Sequence, residues 1–380
     1  MAGVFPAKTF VAHARPRGQK IVIELVKDLA KAGQPLPAFA YSLTNSPPAN
    51  TVGVLGALPS AVTVRMLVPE IDLLPREKEL KQPVYAWTNS VPSITATASQ
   101  AAPWLRSVIE SEADGGATVL ITPSPLVEAG HGEVELRRVL EWADTSRSLK
   151  VAQGMPVLTG LTLHRDWLSN NGKRETLLNV LTDVPDPGFY ILVRWPPAKS
   201  GTNIGELAIL QGYRELVEVL ADDAREVVAA RNGLAGWALA ALGASAWTAA
   251  LPASHVYRDA MVIRRQKGSS PPAKINHYLD RQLLSFVPEA RLPAVSAVSG
   301  PPKCSCADCT ILVGGYDDRA ASRHLLRLHT SLARALAGAK SPRALAHNQV
   351  RTAIATIGGN AFGLAAAQTG HLQSWDQLLT

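Results

Sequence analysis

The sequence between residues 115 and 251 alternates short apolar runs with amphipathic segments, and this alternation constrains the fold more than any other feature. Apolar runs with the length of buried strands occupy residues 118–122, 156–163, 188–195, 226–230 and 246–251. Segments with helical spacing lie between them, at residues 133–143, 174–181, 204–221 and 234–242. Strands that alternate with helices in this way are typical of right-handed β-α-β units, so the pattern predicts a parallel sheet.

Three more candidate strands precede this region, at residues 51–55, 62–68 and 83–88. They bring the predicted number of strands to eight, which favours an α/β fold of the TIM type, a (β/α)8 barrel. An open, doubly wound sheet is the alternative. No early strand is followed by the G-x-G-x-x-G pattern of a dinucleotide-binding sheet, which disfavours that alternative.

The sequence divides into a predicted barrel over residues 1–260 and an extension over residues 261–380. Loops rich in glycine and proline, at residues 268–272 and 300–302, bracket the start of the extension. Two stretches rich in alanine and leucine follow, and their composition predicts helices over residues 320–337 and 343–357. We therefore expect a barrel that carries a C-terminal helical extension.

All three cysteines of the chain lie within six positions: Cys304, Cys306 and Cys309. An odd, clustered set is a poor basis for disulfide bonds and indicates a metal site in a reducing compartment. The N-terminus has no long apolar segment, and the most apolar stretch, residues 227–251, is interrupted by Arg231. These features predict a cytoplasmic protein without a membrane span.

Three thiolates in the spacing Cys-x-Cys-x2-Cys suit three corners of the tetrahedral coordination that zinc prefers. The fourth ligand is usually an imidazole, and three histidines that follow the cysteines could supply it: His324, His329 and His347. Three free thiols in one surface loop are disfavoured, because exposed thiols are prone to oxidation. The cluster thus predicts one bound zinc ion.

The cysteine cluster stands just after a predicted α/β barrel and is followed by a helix and the pair His347-Asn348. In this it resembles the zinc subdomain of the tRNA-guanine transglycosylases, a superfamily of queuosine- and archaeosine-type RNA enzymes with relatives that act on DNA. Residues 227–233 and 243–252 are similar to the family's seventh and eighth strands, and residues 83–90 to the strand before one of its catalytic motifs.

The resemblance covers roughly residues 83–355 and implies a structural zinc ion with four protein ligands. It assigns these ligands to Cys304, Cys306, Cys309 and His347. The segment between the cysteines and His347 is longer than is usual in the family, and His329 is the alternative fourth ligand.

In the family that the chain resembles, an aspartate attacks the sugar C1′, a second aspartate transfers protons, and a 7-deazaguanine replaces a guanine. Two carboxylates suit this exchange, because one is the nucleophile and the other acts as acid and base. The matching positions hold Thr248 for the nucleophile and Asn89 for the acid and base, and neither side chain ionises near neutral pH. If the alignment is shifted by one or two residues, Asp166 or Asp259 becomes the candidate acid.

The formal net charge of +7 and the pI near 9.4 favour a polyanionic partner such as RNA or DNA. Barrel active sites form at the carboxyl ends of the strands, and the sequence places basic or aromatic side chains at or just after several of these ends. Such residues suit contacts with phosphate or stacking on a base. They are Arg165, Arg194, Trp195, Arg231 and Arg258, with Arg264, Arg265 and Lys267 in the loop that follows.

The sequence supports three hypotheses about function, and in the first two the barrel binds tRNA or DNA. In the first, the chain is a degenerate transglycosylase-like protein without base exchange, an accessory subunit or a sensor. It would form a homodimer, or a heterodimer with an active paralogue. In the alternative, it is an active deazaguanine transglycosylase or base-removing glycosylase with relocated acids, which a buried carboxylate at the barrel mouth would favour. A barrel enzyme for a small molecule, with an unrelated zinc module, is a third account.

Overall fold

The structure of the chain is a computed structural model. It describes residues 3–5, 7–14, 19–43, 48–71, 90–130, 132–197, 203–250, 277–299, 306–359, 363–364 and 369–380. One sheet runs through the part up to residue 250. Its strands are β1 (Thr9–Ala14), β2 (Ala38–Ser42), β3 (Arg65–Val68), β4 (Leu120–Ile121), β5 (Leu126–Val127), β6 (Val157–His164), β7 (Gly188–Arg194), β8 (Glu226–Ala230) and β9 (Ala246–Ala250).

The strands of this sheet are parallel, in the order β3-β2-β1-β9-β8-β7-β6-β4. A bridge between Met66 and Val119 joins the two ends of this order. β5 also pairs with β6, and the segment Pro123-Ser124-Pro125 separates it from β4. Because β4 and β5 share one position, the sheet closes as an eight-stranded parallel barrel. The predicted TIM-type (β/α)8 fold is confirmed.

Helices lie between the strands and follow the last of them. Those between the strands are α1 (Gln19–Lys31), α2 (Pro48–Gly56), α3 (Ala98–Asp114), α4 (Gly132–Ser148), α5 (Asp166–Ser169), α6 (Asn171–Asp183), α7 (Leu207–Asp222) and α8 (Ala235–Ala241). After β9 come the antiparallel hairpin β10 (His277–Asp280) and β11 (Ser285–Pro288), then α9 (Leu292–Ser299), α10 (Ala307–Gly314), α11 (Asp318–Ala337), α12 (Pro342–Gly358) and α13 (His371–Leu379).

The strands predicted from residue 118 onward are present, but the prediction for the first part of the chain is partly wrong. Residues 51–55, predicted as a strand, lie in α2, while β1 and β2 were not predicted. A run of five apolar and small residues is too short to distinguish a strand from a helical turn. The buried residues Thr51, Val54 and Leu55 are spaced as they would be on one face of a helix. The strand predicted at residues 83–88 lies outside the described residues.

Side chains of each strand alternate between two cores. One set fills the barrel interior, with members such as Val11, Ala40, Met66, Leu158 and Val228. The other set packs under the helices, with members such as Phe10, Phe39, Leu67, Phe189 and Trp247. This alternation follows from the two-residue period of a strand, and it determines which polar residues point into the barrel.

The amino ends of the strands are closed by the first residues of the chain. The backbone N–H groups of Val4 and Phe5 donate to the carboxylate of Glu226, at 2.8 and 2.9 Å. Phe5 is buried in the inner core. The opposite rim, where the strands have their carboxyl ends, is called the barrel mouth below.

Helix α11, from the predicted extension, completes the ring of helices around the barrel. It contacts β1, α1 and α8, and so occupies the place between the last and the first barrel helix. Its first turn is capped by Asp317, whose carboxylate accepts the N–H of Ala320 at 2.6 Å. The predicted domain boundary at residue 260 lies outside the described residues. Among the described helices, none has the length and apolar character that crossing a bilayer requires.

Candidate functional site

Three polar side chains continue the inward-facing rows of strands β1, β2 and β3 at the barrel mouth. They are His13, Ser42 and Glu70, and all three are buried. The residues two positions before them, Val11, Ala40 and Val68, belong to the inner core. Since the carboxyl ends of parallel strands meet at one rim, the fold brings the three polar groups together where barrel active sites are built.

Glu70 is at the centre of this group. Its Oε1 lies 3.3 Å from Nη1 of Arg231, which follows β8, and 3.6 Å from Nε2 of His13. The hydroxyl of Ser42 donates to Oε2. The side chain of Glu70 is 1% exposed and that of Arg231 is 4% exposed. Two opposite charges shielded from water in this way interact strongly. His13, Ser42, Glu70 and Arg231 are called the mouth cluster below.

The backbone at the mouth cluster is strained. Glu70 and Arg231 have φ angles of 42° and 51°, in the left-handed region that residues with a Cβ rarely occupy. Such a conformation costs roughly 1–3 kcal/mol and persists only where the surrounding structure imposes it. Strained residues of this kind concentrate at functional sites, so the backbone supports a functional role for the pair.

Thr248, the position that the resemblance equates with the catalytic nucleophile, lies in β9 and is fully buried. Its Oγ1 accepts the backbone N–H of Arg231 at 2.7 Å. The hydroxyl therefore stabilises the turn that presents Arg231 to Glu70. Asn89, the counterpart of the acid and base, lies outside the described residues.

The candidate relocated acids differ in how far the structure describes them. Asp166 is the first residue of the short helix α5, and its carboxylate lies 3.5 Å from Nδ1 of His164. Its side chain is 48% exposed, in contrast to that of Glu70. Asp259 lies outside the described residues.

Of the residues predicted to contact nucleic acid, Arg165 and Arg194 are partly exposed at the ends of β6 and β7. Nη1 of Arg194 lies 3.7 Å from Oε1 of Glu128. Trp195 is fully buried in the outer core and donates its indole N–H to Asn232 at 2.8 Å. This position does not suit it to stack on a base. Four further residues lie outside the described part of the chain: Arg258, Arg264, Arg265 and Lys267.

The predicted metal site is present in part. Ligand atoms of Cys306, Cys309 and His324 all lie within 4.8 Å of one another. The two Sγ atoms are 3.3 Å apart, and Nδ1 of His324 lies 3.4 and 3.2 Å from them. Ligands of a tetrahedral zinc ion are about 3.5–3.8 Å apart, so small shifts would accommodate the ion. Cys304 lies outside the described residues.

The environment of His324 suits a metal ligand. Its Nε2 is 2.8 Å from the carbonyl oxygen of Leu279, to which it donates, and this leaves the Nδ1 lone pair directed at the two thiols. Ligating histidines usually have their second nitrogen held by an acceptor in this way. The ring also stacks on Tyr278, with 4.8 Å between ring centroids. Cys306, Cys309 and His324 could therefore hold a zinc ion.

The two histidines assigned from the resemblance do not belong to this cluster. His347, in α12, has its Nε2 2.9 Å from Oδ1 of Asp376 in α13. His329, in α11, stacks on Phe10 and lies 3.2 Å from the indole nitrogen of Trp247, against the outer face of the barrel. The structure thus brings His324, rather than His347 or His329, to the cysteines.

Ion pairs connect the cysteine segment to the barrel. Asp308, beside Cys309, lies 2.8 Å from Nε of Arg323 and 3.0 Å from Nη1 of Arg327. Arg323 also reaches Asp28 of α1, at 3.0 Å. Burial raises the pKa of the Asp308 carboxyl, and the positive charges of Arg327 and Arg323 oppose that rise. The metal segment therefore positions α11 against the barrel.

Arg231 was the one member of the mouth cluster that the sequence indicated, as a contact for nucleic acid, and the structure instead buries it against Glu70. One signal was available for Glu70, because it continues the alternation Val64, Met66, Val68 two residues beyond a predicted strand. The sequence did not indicate His13 and Ser42, because it did not predict the strands that carry them.

Comparisons with known proteins add little. No protein-family profile matches the chain, and no curated protein matches it significantly. Among solved structures, (S)-3-O-geranylgeranylglyceryl phosphate synthase from Thermoplasma acidophilum, in complex with sn-glycerol-1-phosphate, is similar at 10% identity with a TM-score of 0.35. The match covers 65% of this chain and 86% of that chain. So distant a likeness carries no argument, and the barrel assignment rests on the strand pairing itself.

Proposed function

We propose that the chain is a transglycosylase-like barrel protein that binds tRNA or DNA and cleaves an N-glycosidic bond at the barrel mouth. The observation that carries this proposal is the buried carboxylate of Glu70, held by Arg231, Ser42 and His13. We assign to Glu70 the role of the relocated acid, for which the sequence offered Asp166 or Asp259. The product is either a base-exchanged nucleic acid or a nucleic acid from which the base has been removed.

The chemistry follows from the charge that develops as a base leaves. The C1′–N bond breaks, the base departs with the bonding electrons, and positive charge builds on the sugar. A carboxylate such as Glu70 stabilises that charge, and a site shielded from water strengthens the effect. The leaving base takes up a proton, and we assign His13, which lies beside Glu70, as its donor. Water then adds at C1′ in base removal, or a second base adds in exchange, and the proton that the incoming group loses returns to His13.

The proposed zinc ion has a structural role in this account. We assign its ligands to Cys304, Cys306, Cys309 and His324, a set that leaves no open position for substrate. A bound ion would contribute folding free energy to the segment that carries α10 and α11. His347 and His329 remain outside this set because their contacts lie elsewhere.

A second candidate function is the non-catalytic accessory subunit or sensor. The observation that favours it is Thr248, whose hydroxyl is engaged by the N–H of Arg231 at the position where the family has its nucleophile. In this account the mouth cluster is a buried structural ion pair, and the partner is an active paralogue.

Incubation of the purified chain with tRNA and with duplex DNA, in the presence of labelled guanine or 7-deazaguanine, separates the two candidates. The enzyme account predicts incorporated label or released base, and the accessory account predicts neither. Asp166→Asn tests the other described acid. Loss of turnover in that variant would indicate that Asp166, and not Glu70, is the catalytic carboxylate.

A further inference from the structure

The net positive charge of the chain equals that of one segment. Residues 319–375 contain seven lysines and arginines and no aspartate or glutamate, in a chain with 38 basic and 31 acidic residues overall. The whole formal excess of +7 is therefore carried by this segment, which includes α12 and nearly all of α11. A surface with this composition attracts polyanions.

Several of these positive charges are already compensated. Arg319 lies 2.8 Å from Glu24, Arg323 contacts Asp28 and Asp308, and Arg327 contacts Asp308. Arg351 of α12 differs, because it is exposed and no carboxylate of the described residues pairs with it. The same holds for Arg281, in the turn between β10 and β11. Among the described residues, no carboxylate competes with an external anion for these two guanidinium groups.

A groove of about 390 Å³ lies between that turn and α12. It is lined by Arg281, Gln282, Leu345, Asn348, Gln349 and Thr352. The four α12 residues recur at the spacing of one helix face. Arg351 is not part of the lining, but it follows Asn348 by three positions and therefore flanks the groove on that side. Five of the six lining side chains can donate hydrogen bonds, and none carries a negative charge.

We propose that this groove binds the sugar-phosphate backbone of the nucleic acid, an inference that rests on the proposed function. Arginine, glutamine, asparagine and threonine are among the side chains that proteins use to contact phosphate and sugar oxygens. The groove therefore positions the nucleic acid, while the mouth cluster acts on the base.

The test compares two pairs of substitutions that remove the same charge. Arg281→Gln with Arg351→Gln alters the groove lining at Arg281 and its flank at Arg351, and Arg137→Gln with Arg319→Gln removes two arginines that already have carboxylate partners. Affinities of the full chain for tRNA and for duplex DNA are measured across a salt series. On duplex DNA each lost phosphate contact should make the slope of log K against log salt shallower by about 0.9. At about 0.1 M salt that corresponds to an affinity loss of about 8-fold per contact.

The groove pair should show the shallower slope, and the control pair should match the wild type. Equal effects of the two pairs would overturn the inference, because net charge alone would then explain the loss. A groove pair with the wild-type slope would overturn it as well, while leaving the proposed function in place. If the wild-type protein showed no salt-dependent binding to tRNA or DNA, that result would contradict both the proposed function and this inference. Gln349→Glu adds a negative charge in the groove and should weaken binding without loss of the fold.

Discussion

Glu70 and Arg231 are 161 residues apart in the sequence, and their side chains meet inside the barrel with 3.3 Å between Oε1 and Nη1. Both residues have a left-handed backbone, with φ angles of 42° and 51°. Each conformation is unfavourable by itself, and the two occur together where opposite charges are excluded from water. The closed barrel fixes both turns, which makes the charged pair a rigid feature of the mouth.

We expect Glu70 and Arg231 to be strongly coupled in their contributions to the free energy of unfolding. Arg231→Met should lower the free energy of unfolding by about 3–5 kcal/mol, because it leaves a buried carboxylate without its counter-charge. The double variant Arg231→Met with Glu70→Gln should lose less than the sum of the two single variants. Urea unfolding of the four proteins gives the coupling. The control Arg137→Met, on an exposed pair with Glu133, should change stability by at most about 1 kcal/mol. Additive single effects at the mouth would contradict a coupled pair.

The metal site predicts that His324 is needed for zinc. His324→Ala should lower the zinc content of the purified protein and destabilise it, since structural zinc contributes folding free energy. Cys306→Ser should act in the same way. Metal analysis by atomic emission, together with thermal unfolding in the presence and absence of a chelator, measures both effects.

The control for this prediction is His347→Ala. His347 is bonded to Asp376, so this variant should keep its zinc. Zinc lost from His347→Ala and retained by His324→Ala would restore the assignment made from the resemblance. If the purified protein contained no zinc and its thermal unfolding did not change with chelator, that result would contradict the proposed metal site.

The buried carboxyl of Glu112 should make the free energy of unfolding depend on pH. This residue of α3 is fully buried, its Oε2 accepts the N–H of Ile121 at 2.8 Å, and burial raises its pKa well above the usual value of 4.5. In the unfolded chain the carboxyl loses its proton near 4.5, whereas the folded protein retains the proton to higher pH. Its contribution to stability is therefore present below that value and is lost as pH rises toward the folded pKa.

Glu112→Gln retains an acceptor for Ile121 and cannot ionise. The variant should be more stable than the wild type at pH 8 and should show a weaker decline in stability between pH 5 and pH 8. Urea unfolding at the two pH values measures this difference. A variant that declines in parallel with the wild type would show that Glu112 does not titrate in this range.

The second half of the barrel could be predicted from the sequence because its strands are buried on both faces. Residues 189–193 and 227–230 are continuous apolar runs, and the helices between strands have a clear period. The first half could not be predicted in the same way. β1 and β2 have six and five residues, and each contains two alanines, a residue type depleted in strands, so length and composition carry little information there.

The site was predictable only where the motif was local. The cysteine cluster lies within six positions, and its chemistry follows from spacing alone. The choice of histidine depended on tertiary packing, because α11 presents His324 to the cysteines and His329 to the barrel. The mouth cluster required strands far apart in sequence to meet, since β1, β2, β3 and β8 each contribute a residue at or just beyond their carboxyl ends.

The most direct test of the central claim is the rate of base release or exchange on nucleic acid by Glu70→Gln, compared with Glu112→Gln. Both substitutions replace a buried carboxyl with its amide, and only the first alters the mouth. The assay is run at a temperature at which circular dichroism shows both variants to be folded. The account predicts that Glu70→Gln loses at least about 100-fold in rate, or about 2.7 kcal/mol of transition-state stabilisation, while Glu112→Gln keeps the wild-type rate. A folded Glu70→Gln with the wild-type rate would contradict the account.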